Sequence, residues 1–110
     1  MDDMRKVFEK CDLMAVPGST TVAGRLRSPE EAGSDVRPGS TSPRFRRGNT
    51  FIGNMTGLPA ITIPCGFSSG PPELPITIQF YGRAFDEFTL FRASHAYESA
   101  TDWHQRRPEI

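Results

Sequence analysis

Serine residues next to glycine are the first candidates for chemistry in this sequence. Gly66-Phe67-Ser68-Ser69-Gly70 has the spacing of a G-x-S-x-G nucleophile loop, with a serine at its centre. Such a loop needs a strand before it and a helix after it. Pro71-Pro72 follows instead, and proline stops both a strand ladder and a helix. The pattern therefore predicts a hairpin turn, and Ser68-Ser69 is not predicted to be catalytic.

The other candidates for catalysis are Cys65, His95 and the Asp86-Glu87 pair. A Cys65 nucleophile would need a helix N-terminus or a nearby cation to activate its thiol, so Cys65 is interpreted as a buried thiol. His95 falls near the apolar stripe of a predicted helix and is interpreted as a packing residue. Asp86 is expected to cap that helix, and neighbouring residues on a helix point in different directions. We therefore predict no catalytic residue in the chain.

Metal and cofactor binding are not predicted either. His95 and His104 are the two histidines, and neither has a partner at a metal-ligand spacing. The glycines form no phosphate-binding loop. Cys11 and Cys65 are expected to be free thiols, because nothing in the sequence indicates a secretory context.

Composition indicates one small domain with a long irregular part. The chain has 110 residues, of which 36% are hydrophobic, with ten glycines and ten prolines. Thirteen basic residues balance thirteen acidic ones, so the net charge does not indicate nucleic acid as a partner. No apolar run approaches the roughly 18 to 20 residues that span a bilayer, and the acidic start does not resemble a secretory signal. We therefore expect no membrane contact and a cytoplasmic location.

Periodicity places the elements that would position any site. A short helix is predicted over residues 3–10, a strand over 12–16, and an antiparallel hairpin from strands over 59–64 and 75–82. A helix capped by Asp86 should run to about Asp102, with Leu90, Ala93, Tyr97 and Ala100 on one face. Residues 17–50 lack periodicity and are rich in Pro, Gly and Ser. An irregular connection of this length is unusual inside a compact domain, which suggests that it packs on something outside the chain.

Several motifs resemble the C-terminal end of the amidase signature family. They are the run from Asn54 to Gly66 (NMTGLPAITIPCG), Leu74-Pro75-Ile76 with Gln79 and Gly82, Phe85-Asp86-Glu87 with Leu90, and the closing stretch from Ala96 to Glu109. The resemblance implies an α/β fold in which residues 1–110 form a partial amidase domain, with 17–50 as a variable loop. Within this piece it implies a short mixed sheet with an antiparallel hairpin and flanking helices.

The resemblance also implies hydrolysis or transfer of a carbon–nitrogen amide bond. The family uses a serine nucleophile, a second serine held by a cis peptide bond, and a lysine, all on a Gly/Ser-rich signature upstream of the matching region. Lys6, Lys10 and Ser68-Ser69 lie outside that signature, so the chain is expected to be inactive alone. Arg46 and Arg47 stand where glutamine-specific tRNA amidotransferase A subunits have an acidic residue, which favours a general amidase.

A substrate contact is predicted at the turn that precedes the first hairpin strand, because α/β sites gather at strand ends. The residues are Thr50, Phe51, Asn54 and Met55, although Phe51 and Met55 could equally be core. A small amide is expected as a partner only in the complete enzyme, and a homo-oligomer or a partner chain is expected to cover an exposed sheet edge. Two alternatives remain open: a small interaction module that pairs with an amidase or another partner, and an independent hydrolase that uses Cys65 or Ser69.

Overall fold

The computed structural model describes residues 2–24, 28 and 49–107. In chain order the elements are α1 (Asp2–Phe8), β1 (Leu13–Pro17), α2 (Thr50–Thr56), β2 (Ala60–Phe67), β3 (Pro75–Gly82), α3 (Glu87–Ser99) and a 3-10 helix (Trp103–Gln105). Most of the predicted 17–50 loop, with Arg46 and Arg47, lies outside the described residues. Residues 50 to 56 form a helix, where the sequence had predicted a turn.

The three strands form one sheet in the order β1-β3-β2, with β3 in the centre. Both pairings are antiparallel: Leu13 lies opposite Gly82 in one, and Ile63 lies opposite Ile78 in the other. The α/β class, the hairpin and the flanking helices are confirmed. The parallel pairing that a mixed sheet would also contain does not occur among the described strands.

The β2 strand is irregular near its end. Its register against β3 shifts between Pro64 and Gly66, which is the signature of a bulge at Cys65. Beyond it, Phe67 contacts Trp103 with ring centroids 6.2 Å apart, and the Arg106 guanidinium lies 4.5 Å from the Trp103 centroid. This aromatic contact with the stacked cation holds the 3-10 helix against the end of β2.

One face of the sheet packs against α3. The core cluster consists of Ile63, Phe80 and Leu90, with Leu13, Ile61, Ile78 and Tyr97 packed around it. Burying one such side chain contributes about 1.5 to 3 kcal/mol. The expected helix face is therefore confirmed at Leu90 and Tyr97, whereas Ala100 is exposed.

The α3 helix starts as the sequence predicts. Asp86 precedes it, and the Asp86 carboxylate accepts a hydrogen bond from the Thr89 backbone N–H at 3.3 Å. This bond satisfies one of the free N–H groups of the first turn. The predicted cap is confirmed, although the helix ends at Ser99, three residues before the predicted end.

On the opposite face of the sheet, α2 contacts Tyr81 of β3. On this face of β3, Gln79 is 8% exposed and Tyr81 is fully buried. The α2 helix is followed by Gly57, whose φ of 67° is left-handed and suits a residue without a Cβ. Near the end of β3, side chains on both faces of the strand are thus buried: Phe80 on one face, Gln79 and Tyr81 on the other.

Candidate functional site

The predicted substrate residues lie on α2. Thr50 begins this helix, and Phe51, Asn54 and Met55 are exposed, with 39% of Phe51 and 66% of Met55 accessible to solvent. Spacings of three and four residues place these three side chains on neighbouring parts of one helix surface. The structure thus brings Phe51, Asn54 and Met55 together, and their role in binding stays a prediction. Phe51 and Met55 are not core residues in this chain.

Tyr81 anchors α2 to the sheet. Its hydroxyl lies 2.6 Å from Asn49 O and 3.0 Å from Gln79 Oε1, two acceptors that share its single hydrogen. It also accepts a hydrogen bond from the Gly53 backbone N–H at 3.3 Å. A Cβ on Gly53 would lie 3.1 Å from the Tyr81 ring, so glycine allows this close approach. Sequence reasoning missed this contact, because the partners are 28 and 32 residues apart.

Ser68 closes the turn between β2 and β3. Its backbone N–H donates to Leu74 O at 2.8 Å, and its hydroxyl accepts from the Leu74 N–H at 3.0 Å. Ser69 is exposed beside it. Within the described part of the chain, no histidine, lysine or carboxylate is hydrogen-bonded to either hydroxyl. The geometry is that of a hairpin turn.

Cys65 and His95 occupy different surfaces. Cys65 lines a hollow with Val16 and Ile76, and burial raises the pKa of its thiol, which is the reverse of what activates a nucleophile. His95 lies on α3 beside another hollow, which Asp12 and other residues line. His95 is exposed, so its interpretation as a packing residue is wrong: it is one residue beyond the buried Ser94 and faces solvent.

Cys11 and Cys65 are both free thiols. No group of three or more His, Cys, Asp or Glu side chains is arranged to hold a metal ion in the described ranges. No helix in these ranges is long and apolar enough to cross a bilayer.

A cleft that sequence reasoning missed separates α1 from the end of β3. It has a volume of about 350 Å³, and its lining includes Met4, Phe8, Leu58 and the side chains of Arg5 and Arg83. Arg83 Nη2 donates to Phe8 O at 2.9 Å, to Cys11 O at 3.3 Å and to Asp12 Oδ1 at 3.2 Å. Since Arg83 is thus engaged with α1 and the loop after it, its first role is to hold these segments against β3.

Comparison with known proteins assigns the chain to a family. Residues 1–91 match the family model described as Amidase. The chain is 44% identical over 108 residues to the A subunit of the glutamyl-tRNA(Gln) amidotransferase of Moorella thermoacetica, and the match covers 98% of this chain and 20% of that protein. The proteins of the same name from Chloroflexus aggregans and Cupriavidus taiwanensis are 42% and 38% identical, over 98% and 97% of this chain and 20% of each relative.

The chain thus spans about a fifth of the length of the curated relatives it matches. The three-strand antiparallel sheet with flanking helices agrees with a C-terminal portion of the amidase fold. The resemblance first indicated by the motif run from Asn54 to Gly66 is confirmed by a family match over most of the chain. The chain belongs to the amidase family.

Proposed function

We propose that this chain forms the C-terminal part of an amidase-family enzyme that cleaves carbon–nitrogen amide bonds, and that it is inactive alone. The observation that carries the proposal is the near-complete alignment of the chain with only 20% of the length of each amidotransferase relative. The serine, the second serine and the lysine of the family mechanism belong to the preceding part of the fold. The contribution of this chain is architectural, with one surface that meets the substrate.

The α2 helix provides that surface in the proposal. Asn54 and Met55 are exposed on it, and Phe51 is 39% exposed, so this surface combines apolar side chains with one amide group that could meet a small amide substrate in the complete enzyme. Tyr81 fixes the helix on the sheet through Asn49 and Gly53. Fixing the helix matters because catalysis depends on the geometry in which a substrate is held.

Local chemistry supports inactivity of the chain alone. The Ser68 hydroxyl accepts the Leu74 N–H, and the raised pKa of Cys65 lowers its thiolate fraction at neutral pH. Neither group has a neighbouring base hydrogen-bonded to it within the described ranges. An independent hydrolase built on Cys65 or Ser69 is therefore disfavoured.

A second candidate is a small module that pairs with an amidase or another partner, or with a second copy, through a sheet edge. The observation in its favour is that β1 and β2 are the outer strands of the described sheet, and outer strands can add a strand from another chain. Co-purification at a fixed stoichiometry, lost on disruption of an outer strand, would support this role.

The proposal is tested with a chimera. The segment of the Moorella thermoacetica relative that matches this chain is replaced by the 110-residue chain, and ammonia release from simple amides and from glutamine is measured beside the unmodified relative. We expect a cooperatively folded chimera with activity, no turnover by the chain alone, and unchanged chimera activity after Ser69→Ala or Cys65→Ala. Turnover by the chain alone that disappears with either substitution would overturn the proposal, as would a chimera that does not fold.

A further inference from the structure

Three phenylalanines at the start of α3 are largely uncovered. Phe85 is 95% exposed, Phe88 71% and Phe91 62%; we call these residues the aromatic face. Phe88 and Phe91 are three residues apart and therefore share a side of the helix. Leu90 is only 3% exposed and packs in the core. The helix thus has one apolar side buried against the sheet and a second apolar side in solvent.

Phe85 is solvent-exposed, and its backbone has an unfavourable conformation. Its φ is 64°, a left-handed value that bulky side chains rarely adopt. The turn that imposes this value is closed by a hydrogen bond from the Asp86 N–H to Arg83 O at 3.1 Å. Residues held in such strained conformations cluster at functional sites, and at Phe85 the strain accompanies an apolar ring in solvent.

The area of the aromatic face argues against self-association through it alone. With about 200 Å² for a complete phenylalanine side chain, the three rings expose roughly 450 Å². A stable interface between two separate proteins buries about 800 Å² on each partner. A surface of about half that size is sufficient only where other contacts, or the covalent chain, already hold the two parts together.

We propose that the aromatic face is the surface on which the preceding part of an amidase-family polypeptide packs. This inference rests on the proposed function. The relatives have about five times the length of this chain, so most of their fold lies outside it. The family match extends to residue 91 and includes all three phenylalanines, which places the aromatic face inside the matched domain. The Arg92 guanidinium lies 5.8 Å from the Phe88 ring centroid and forms a charged border to the face.

The test measures thiol labelling in the chimera described above. Phe88→Cys and Phe91→Cys variants are labelled with a water-soluble maleimide, and the background from other cysteines is measured on the parent chimera. Ser69→Cys, at the exposed turn between β2 and β3, is the matched control in the same protein. We expect labelling at positions 88 and 91 to be at least about tenfold slower than at position 69, because it requires local opening.

The isolated 110-residue chain provides the second arm. There the three introduced cysteines should react at similar rates, because the aromatic face is largely exposed. Phe91→Ala should also weaken the chimera, lowering its folded-to-unfolded ratio about tenfold or more, whereas Ser69→Ala should leave it unchanged. Both effects are specific to a covered surface.

The outcomes separate the two proposals. Labelling at positions 88 and 91 as fast as at position 69, in a chimera that folds and releases ammonia, would overturn this inference and leave the proposed function standing. Slow labelling in the isolated chain that becomes fast on dilution would overturn it in favour of a second copy. A chimera that does not fold would overturn the proposed function, and this inference with it.

Discussion

Removal of the Tyr81 hydroxyl should lower the free energy of unfolding, because this single group bonds three partners. Tyr81→Phe removes one oxygen from a fully buried side chain and leaves Asn49 O, Gln79 Oε1 and the Gly53 N–H without this partner. A net hydrogen bond contributes about 1 kcal/mol, and an unsatisfied buried partner costs about 1 to 3 kcal/mol. Asn49 and Gly53 are only partly buried and can recruit water, so we expect a loss of about 1.5 kcal/mol.

Urea unfolding followed by circular dichroism measures this loss. With a slope near 1.5 kcal/mol per M, the midpoint should fall by about 1 M. Tyr97→Phe is the matched control, because the Tyr97 hydroxyl has no hydrogen-bond partner among the described residues, and it should change stability by less than about 0.5 kcal/mol. Amide exchange in α2 should accelerate only in the Tyr81 variant. Equal losses for the two variants, or unchanged exchange in α2, would refute the anchoring role.

Three further predictions, each with a comparison variant, are tested by the same urea measurement. Arg83→Gln should cost about 1 to 2 kcal/mol of stability, because the guanidinium donates to two backbone carbonyls. Asp12→Asn should change stability by less than about 0.5 kcal/mol, since the Asp12 side chain is 81% exposed. Similar losses for the two variants would contradict the role of the carbonyl contacts. Asp86→Ala should cost about 1 kcal/mol of stability, whereas Asp86→Asn, which keeps a side-chain acceptor for the Thr89 N–H, should cost much less. Equal losses for the two variants would contradict the capping role of Asp86. Burial raises the pKa of the Cys65 thiol above its ordinary 9.0. The protonated thiol is thus favoured in the folded state, and this contribution to stability is complete below pH 9 and is lost as the pH rises through the folded-state pKa. The free energy of unfolding should therefore fall above about pH 9 more steeply than it does in Cys65→Ala.

The elements with local signals were predictable. The β3 strand has the predicted limits, Pro75 and Gly82, because apolar and polar residues alternate between this proline and this glycine. The α3 helix begins after its predicted cap because Asp86 is a residue type that caps helices. The α2 helix was missed because Thr, Phe, Ile and Gly residues in TFIGNMT have low helix propensity. Its contact with Tyr81, a residue distant in sequence, is part of what holds it in place.

The candidate site was harder to predict than the fold. Asn54 and Met55 lie on a helix that is held to the sheet in part by a contact across 28 residues, from Gly53 to Tyr81. The wrong interpretation of His95 arose because an apolar stripe does not determine which neighbouring residues reach the core. In α3 the exposed phenylalanines widen the apolar side, so periodicity alone could not separate the side that meets the sheet from the side that faces solvent.

Backbone geometry at the two sheet edges discriminates between the proposed contact surfaces. Thr77 O accepts from the Gly18 N–H at 2.8 Å, so the polar backbone groups of Thr77 face β1. Pro64, which lies opposite Thr77 on β2, therefore has its nitrogen on the outer edge, where a proline offers no donor.

The same alternation places the nitrogen of Pro17 on the outer edge of β1, because Pro17 lies opposite Ile78. Pro17 O already accepts from Asn49 Nδ2 at 2.8 Å. A strand added to either edge would find a proline nitrogen that cannot donate a hydrogen bond, and on β1 also the Pro17 carbonyl oxygen that is already bonded. Both features protect an edge strand from pairing. The aromatic face of α3 has no comparable protection. If this chain meets another part of an amidase, the helix surface is better suited than the sheet edges to supply the contact energy.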